Sequence, residues 1–277
     1  MRFITLFLAS VAWTALLRAA PPADLVKAEL LADVASVKPG ETFTGGVLLK
    51  LKPGWHVYWK NPGDSGSPTR VKWNLPEGWK MGELEYPIPH RIELPGSIIN
   101  YGYEDEVMLL ASVTPPKDLK IGSTVELSAD VSWLVCEKVC IPGKQTVRMP
   151  LPVANASKPA NRELFEQWTR RLPVPAEKLS GVGVEAKPLD LSSGSGSTEI
   201  VATLKTTDPA IPDVLDGAEL TVGVPEPAST GTRYLVEARV LQGQHVSAKK
   251  VEVLVGPYRV TIPIVGAAPP ATAPSAK

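Results

Sequence analysis

Two cysteines stand in the stretch WLVCEKVCIPG, Trp133 to Gly143, and the chain has no others. Glu137, Lys138 and Val139 separate them. A C-x-x-x-C pair admits three chemistries: a structural staple, a soft two-sulfur metal clip, or a dithiol that trades electrons with other thiols. Thiol exchange proceeds by attack of a thiolate on a disulfide sulfur, so it needs a sulfur within reach and a bond that gives way.

The flanking elements say where the sulfurs lie. In STVELSADVSWLV, Val125, Leu127, Ala129, Val131, Trp133 and Val135 share one face of a strand, while Glu126, Ser128, Asp130 and Ser132 share the other. Cys136 continues the polar face. Beyond the pair, Lys144, Thr146 and Arg148 alternate against Val147 and Met149, which puts Cys140 on the polar side as well. Both sulfurs are therefore expected near the surface. A hairpin with Glu137, Lys138 and Val139 in its loop sets Cys136 opposite Cys140. Directly opposed residues have Cβ atoms about 4.5–5.5 Å apart, a little wide of the usual disulfide span, so a modestly strained bond is expected.

Loop size weakens the staple reading. The chain-entropy model gives so small a ring only about 2 kcal/mol, against roughly 4.7 kcal/mol for a 100-residue loop. Lys138 favours a thiolate and Glu137 opposes it, which leaves the acidity of the pair open. For a metal, a closed zinc site needs four ligands, and the only histidines, His56, His90 and His245, are not spaced to join the cysteines. Cu(I) suits two sulfurs better than zinc.

The compartment bears on the same choice. The chain opens MRFITLFLASVAWTALLRAAPPADLV, with Arg2 before an apolar run from Phe3 to Leu17 and small residues at Ala19 and Ala20. That is the layout of a secretory signal peptide over residues 1–20. No later run approaches the roughly 20 apolar residues of a membrane span, so the mature chain is expected to have no transmembrane segment and to lie where disulfides persist. Lys plus Arg and Asp plus Glu number 29 each, so no excess charge points to nucleic acid or to an anionic membrane.

With 277 residues, 44% of them hydrophobic, the chain supports two cores, and its 28 prolines and 22 glycines punctuate short alternating runs. The predicted fold is all-β, with two β-sandwich domains. ETFTGGVLLKLKP, HVYWKN, EVMLLASVTP and STVELSADVSWLV supply strands of the first, residues 23–153. Over residues 154–176, Leu164, Phe165, Trp168 and Leu172 fall at helical spacing, with Pro159 suiting a first turn and Pro173 ending the run: a linker helix. STEIVATLKT, AELTVGVPEP, TRYLVEARVLQ, KKVEVLV and YRVTIPIV supply a second sandwich over residues 177–266, with no cysteine and no catalytic cluster. A structural or docking role is its default. Residues 267–277, small and Pro-rich, are expected to be disordered. In GWHVYWK, the tryptophans Trp55 and Trp59 share a core-facing side with Val57, and His56, Tyr58 and Lys60 face the other way. NPGDSGSP reads as a turn-rich loop in which Asp64 bonds its own backbone, and His90 reads as a loop residue.

Three separated segments, GWHVYWKNPGDSGSPTRVKWNLPEGW, YPIPHRIELPGSIINYGYEDEVMLL and VSWLVCEKVCIPG, resemble in order the amino-terminal periplasmic domain of the DsbD and ScsB thiol:disulfide interchange proteins, with the ScsB-type branch nearest. The resemblance covers roughly Ala23 to Val153. It implies an immunoglobulin-like fold in the periplasm and a redox-active Cys136 and Cys140 that work without a cofactor. It also implies partners: a membrane-embedded DsbD/ScsB-type electron donor, and periplasmic thioredoxin-like proteins that receive the electrons. The chain would then be a protein-disulfide reductase component, and relatives link it to cytochrome c biogenesis and copper tolerance. By the same resemblance Asn100, Tyr101 and Gly102 in NYGYEDE occupy the place of a short cap loop over the cysteines. The DsbD branch carries a longer spacer between its cysteines. Full-length relatives continue into membrane and thioredoxin-like domains, and neither follows here before Lys277, so a separately encoded donor is expected. Two alternatives stand beside this one: an immunoglobulin-like binding or chaperone-type module with a structural disulfide, and a Cu(I)-binding protein.

Overall fold

The structure, a computed structural model, describes residues 25–178 and 183–266. The expected signal peptide and C-terminal tail lie outside these residues. Two antiparallel sheets make the first sandwich. One runs in the order Val26–Ala32, Phe43–Leu51, Glu106–Thr114, Lys80–Met81; the other runs Cys140–Pro152, Thr124–Cys136, His56–Gly63, Ile98–Glu104, His90–Leu94, with Arg70–Asn74 also paired to Thr124–Cys136. The inward residues of Thr124–Cys136 are those that alternation assigns: Leu127, Ala129, Val131, Trp133 and Val135 are all buried. They share one core with Val47, Leu49, Val107 and Leu109 of the facing sheet. Strand His56–Gly63 departs from a period of two, because His56, Val57, Tyr58 and Trp59 are all buried. Such a run marks a strand covered on both faces.

The helix is Arg162–Thr169, and it buries Phe165 and Trp168 in the first core. It is a wall of the first sandwich more than a spacer. Pro159 is not in its first turn: Lys158–Pro159 pairs with Val34–Ser36, and Asn161 is the residue before the helix. The strand partner, distant in sequence, decides this position. The second sandwich has one sheet in the order Val174–Pro175, Tyr258–Val265, Lys250–Val255, Ile211–Pro212, and another in the order Val184–Ala186, Ser195–Ala202, Gly231–Val240, Ala218–Val222. Its core includes Ile200, Tyr234, Val236, Val253 and Ile262. The two sandwiches touch: Leu254 of the second is buried in the first core, and the Ile88 N–H donates to the Arg171 carbonyl at 2.9 Å beside the junction. Among the described residues no helix is long and apolar enough to cross a membrane.

Candidate redox site

Strands Thr124–Cys136 and Cys140–Pro152 pair residue by residue to the hairpin tip, where Cys136 is opposed by Cys140. The two are joined in a disulfide with Cα atoms 4.2 Å apart. Glu137, Lys138, Val139 and Cys140 are exposed, and Val139 presents 60% of its surface. Cys136 is not. It is 2% exposed, a correction to the surface position that alternation assigns it. The cover comes from strand His56–Gly63, which pairs His56 with Cys136 and turns Tyr58 onto the same face.

Tyr58 is the nearest polar partner of the sulfurs. Its hydroxyl donates to Sγ of Cys136 at 3.0 Å and lies 3.8 Å from Sγ of Cys140. Burial pushes the Tyr58 phenol above its ordinary value, so it remains a protonated donor. The His56 ring packs edge-on against the Tyr58 ring, with centroids 5.2 Å apart. Burial lowers the His56 pKa, and the Glu104 carboxylate opposes that shift.

The segment from Asn61 to Pro68, the end of strand His56–Gly63 and the loop after it, folds back on Tyr58. Pro68 bridges to Tyr58, and the Thr69 N–H donates to the Tyr58 carbonyl at 3.2 Å. Gly66 has φ +97°, and a Cβ there would collide with the Tyr58 ring, so both its backbone and its neighbour exclude a side chain. Asp64 does not bond its own loop: its carboxylate accepts from the Ile99 N–H at 2.8 Å. Asn61 takes the local role, accepting from the Gly63 N–H at 3.0 Å. The loop thus lies anchored on the neighbouring strand.

That strand, Ile98–Glu104, carries the residues placed in a cap by resemblance. Asn100, Tyr101 and Gly102 lie within it and pair with His90–Leu94 on one side. On the other side Gly102 opposes Tyr58 and Asn100 opposes Gly63. Asn100 is fully buried, and its carbonyl oxygen accepts from the Ser65 N–H at 3.1 Å. Tyr101 packs edge-on against Trp59, ring centroids 6.4 Å apart. A Cβ on Gly102 would collide with the Val57 carbonyl. His90 opens a strand and is exposed, and His245 is exposed in the second sandwich. Among the described residues no group of three or more His, Cys, Asp or Glu is placed to hold a metal ion. Tyr58 and Gly66 were missed from sequence; the available signal was that Tyr58 falls on the same strand face as His56, opposite the tryptophans.

The family model of the N-terminal domain of thiol:disulfide interchange protein DsbD matches residues 23–152. No curated protein matches the chain. The crystal structure of the N-terminal periplasmic domain of ScsB from Proteus mirabilis is similar with a TM-score of 0.59 at 18% identity, over 90% of this chain and 97% of that one. This share takes in both sandwiches and shows a common fold. The reduced N-terminal domain of DsbD from Neisseria meningitidis is similar over 50% of this chain and 94% of that one, with a TM-score of 0.30 and 15% identity. Residues 23–152, with the disulfide at their hairpin tip, are thus a domain of the DsbD N-terminal kind found in thiol:disulfide interchange proteins.

Proposed function

We propose that Cys136 and Cys140 form the redox centre of a periplasmic interchange module. It takes electrons from a membrane-embedded DsbD/ScsB-type donor and delivers them to thioredoxin-like proteins. The observation that carries this reading is the inequality of the two cysteines, one an exposed residue at the tip and one buried under a hydroxyl donor. In the reducing direction, a donor thiolate attacks Sγ of Cys140. A donor–Cys140 disulfide forms as the Cys136–Cys140 bond breaks, and Cys136 leaves as a thiolate. The Tyr58 hydroxyl already points at that sulfur, and a hydrogen bond to an ionised acceptor is roughly twice as strong as a neutral one. The second donor thiolate then releases Cys140, and donor dithiol has become disulfide. Delivery runs the other way: the Cys140 thiolate attacks the partner disulfide, then Cys136 attacks Sγ of Cys140 and frees the partner as a dithiol.

Shielding, in this reading, is built in layers. The Asn61–Pro68 loop holds Tyr58 over the disulfide, and Asn100, Tyr101 and Gly102 form the base on which loop and tyrosine rest. Titration against glutathione tests the assignment. The expected reduction potential lies above the roughly −300 mV below which structural disulfides typically fall, and a value well below that returns the pair to a staple. Cys136→Ser is expected to trap a mixed disulfide with a thioredoxin-like protein through Cys140, and Cys140→Ser to trap none.

A further inference from the structure

The strand that covers Cys136 also reaches the second sandwich. His56 and Tyr58 occupy one part of it, at the disulfide, and two residues beyond Tyr58 the Lys60 ammonium pairs with the Asp213 carboxylate. Glu252 lies 3.9 Å from the same ammonium and is itself approached by Arg259 and Lys250. Lys60 is 33% exposed, Asp213 17% and Glu252 18%, so together with Arg259–Glu252 this pairing is better sheltered than the other ion pairs among the described residues. Next in the chain, the Asn61 side chain has two ends with two duties. Its amide nitrogen donates to the Pro212 carbonyl of the second sandwich at 2.7 Å, and its oxygen fixes the Gly63 N–H of its own loop. A cavity of about 390 Å³ beside this contact is lined from both sandwiches, by Trp59, Lys60 and Tyr86 on one side and Asp213, Glu252 and Arg259 on the other. Tyr86 donates at 3.0 Å to the carbonyl of Thr69, the residue that follows the loop. Both ends of the loop over Tyr58 are therefore tied to the junction.

We propose that the second sandwich is a positioning element for the redox site, in which Pro212 and Asp213 grip Asn61 and Lys60 and so hold the Asn61–Pro68 loop closed over Tyr58. Access to the disulfide then depends on how the two sandwiches are docked. A partner that loosens the junction opens the site without touching the cysteines. The proposal rests on the redox reading for its biological sense only, because its test measures reducibility, which any disulfide possesses.

The test is the rate of reduction of the full chain by an uncharged phosphine, tris(hydroxypropyl)phosphine, which a lost carboxylate does not itself steer. Asp213→Asn is expected to be reduced about fivefold faster, the change in open population that roughly 1 kcal/mol of closed-state stabilisation produces. Asp213→Glu, which keeps the carboxylate, stays within about twofold of the native rate by the same argument. Hydrogen exchange at the Asp64 and Ser65 amides rises in Asp213→Asn, while the equilibrium against glutathione is unchanged. Lys60→Met keeps an unbranched stem, loses the ammonium that lies over the Trp59 ring as well as the ion pair, and is expected to be reduced at least as fast as Asp213→Asn, which serves if the latter folds poorly. Native reduction and exchange rates in either variant, with the fold confirmed by circular dichroism, overturn the proposal and leave the potential measurement as it stood.

Discussion

The two sandwiches treat their buried polar groups differently. In the second, the buried Thr198 hydroxyl donates to the Lys187 carbonyl at 2.8 Å, and the buried Thr232 hydroxyl donates to the Thr206 carbonyl and accepts from the Thr206 N–H. In the first, His56 Nε2, Thr69 Oγ1 and the indole nitrogens of Trp59, Trp73, Trp133 and Trp168 are buried with no protein partner. Two of these lie beside Tyr58: His56 packs against its ring, and Thr69 donates its N–H to the Tyr58 carbonyl. Buried polar groups are ordinarily hydrogen-bonded, and departures concentrate where function overrides packing rules. Among the described residues the second sandwich leaves no buried side-chain nitrogen or oxygen unpaired. The first carries the unpaired ones, two of them beside Tyr58.

That contrast breaks most completely if the disulfide is a structural tie of the first sandwich. Replacing both Cys136 and Cys140 by serine is expected to abolish thiol exchange and to cost no more than about 2 kcal/mol of stability, since the ring is small. Urea melts of the oxidised native and double-serine chains measure the cost. Unfolding of the variant would make the hairpin tip a staple and the comparison empty.

A glycine pair sharpens it next. Gly66→Ala forces a left-handed position and drives a methyl into the Tyr58 ring, so Tyr58 moves off Cys136. Reduction by dithiothreitol is expected to be about tenfold faster, with a stability cost of about 1–3 kcal/mol from the strained backbone. Gly243 of the second sandwich has φ +75° with nothing within 4 Å of a Cβ. Gly243→Ala shares the backbone strain and leaves the reduction rate unchanged. Equal rates in the two variants would detach the loop from the site.

How much of this was readable follows from where each constraint lies. The hairpin register was legible because alternation on both arms and a three-residue loop are local, and together they leave Cys136 only Cys140 to face. The all-β class and most strands were legible from turn residues between alternating runs. Burial of Cys136 was not, because its cover is Tyr58, 78 positions away in sequence. Of the loop read in NPGDSGSP, Asp64 to Ser67 bear it out while Asn61, Pro62 and Gly63 continue the strand, and turn residues look the same whether a loop faces solvent or lies on a neighbour. Asp64 shows the difference: local chemistry points to its own backbone, and the structure gives it Ile99. NYGYEDE takes its cap role from resemblance; its backbone is a paired strand, Ile98–Glu104, which alternation does not announce because Asn100 and Gly102 answer to the loop and to the close approach of strands.

A smaller effect distinguishes the sandwiches by pH. Burial holds His56 neutral in the folded state to lower pH than in the unfolded chain, whose value is near 6.5. Below 6.5 the unfolded chain binds the extra proton first. Stability is therefore fully present above 6.5 and is lost as pH falls through the lowered folded value, the neighbouring Glu104 moderating the loss. His56→Phe removes this contribution. Urea melts at about pH 7.5 and about pH 5 are expected to differ less in His56→Phe than in the native chain. An identical acid loss in the variant would place its origin elsewhere.

The finest distinction lies inside the first sandwich, between the loop that touches Tyr58 and the strand beneath it. Tyr101 is on Ile98–Glu104, separated from the cysteine strand by the Tyr58 strand, and its ring meets Trp59, whose side chain lies on the face away from Tyr58. Its influence on the sulfurs must pass through that backbone. Half-exposed, it also gives up part of its packing without opening the core. Tyr101→Ala is therefore expected to speed reduction by dithiothreitol by less than about twofold, well short of Gly66→Ala, and to leave the equilibrium potential unmoved, because a shield alters both directions of exchange alike. If Tyr101→Ala instead exceeds Gly66→Ala with its fold intact, the strand Ile98–Glu104 is the cap and the loop is its support. If neither moves the rate, shielding resides in Tyr58 alone, held by its pairing with Gly102 and its bond to Cys136.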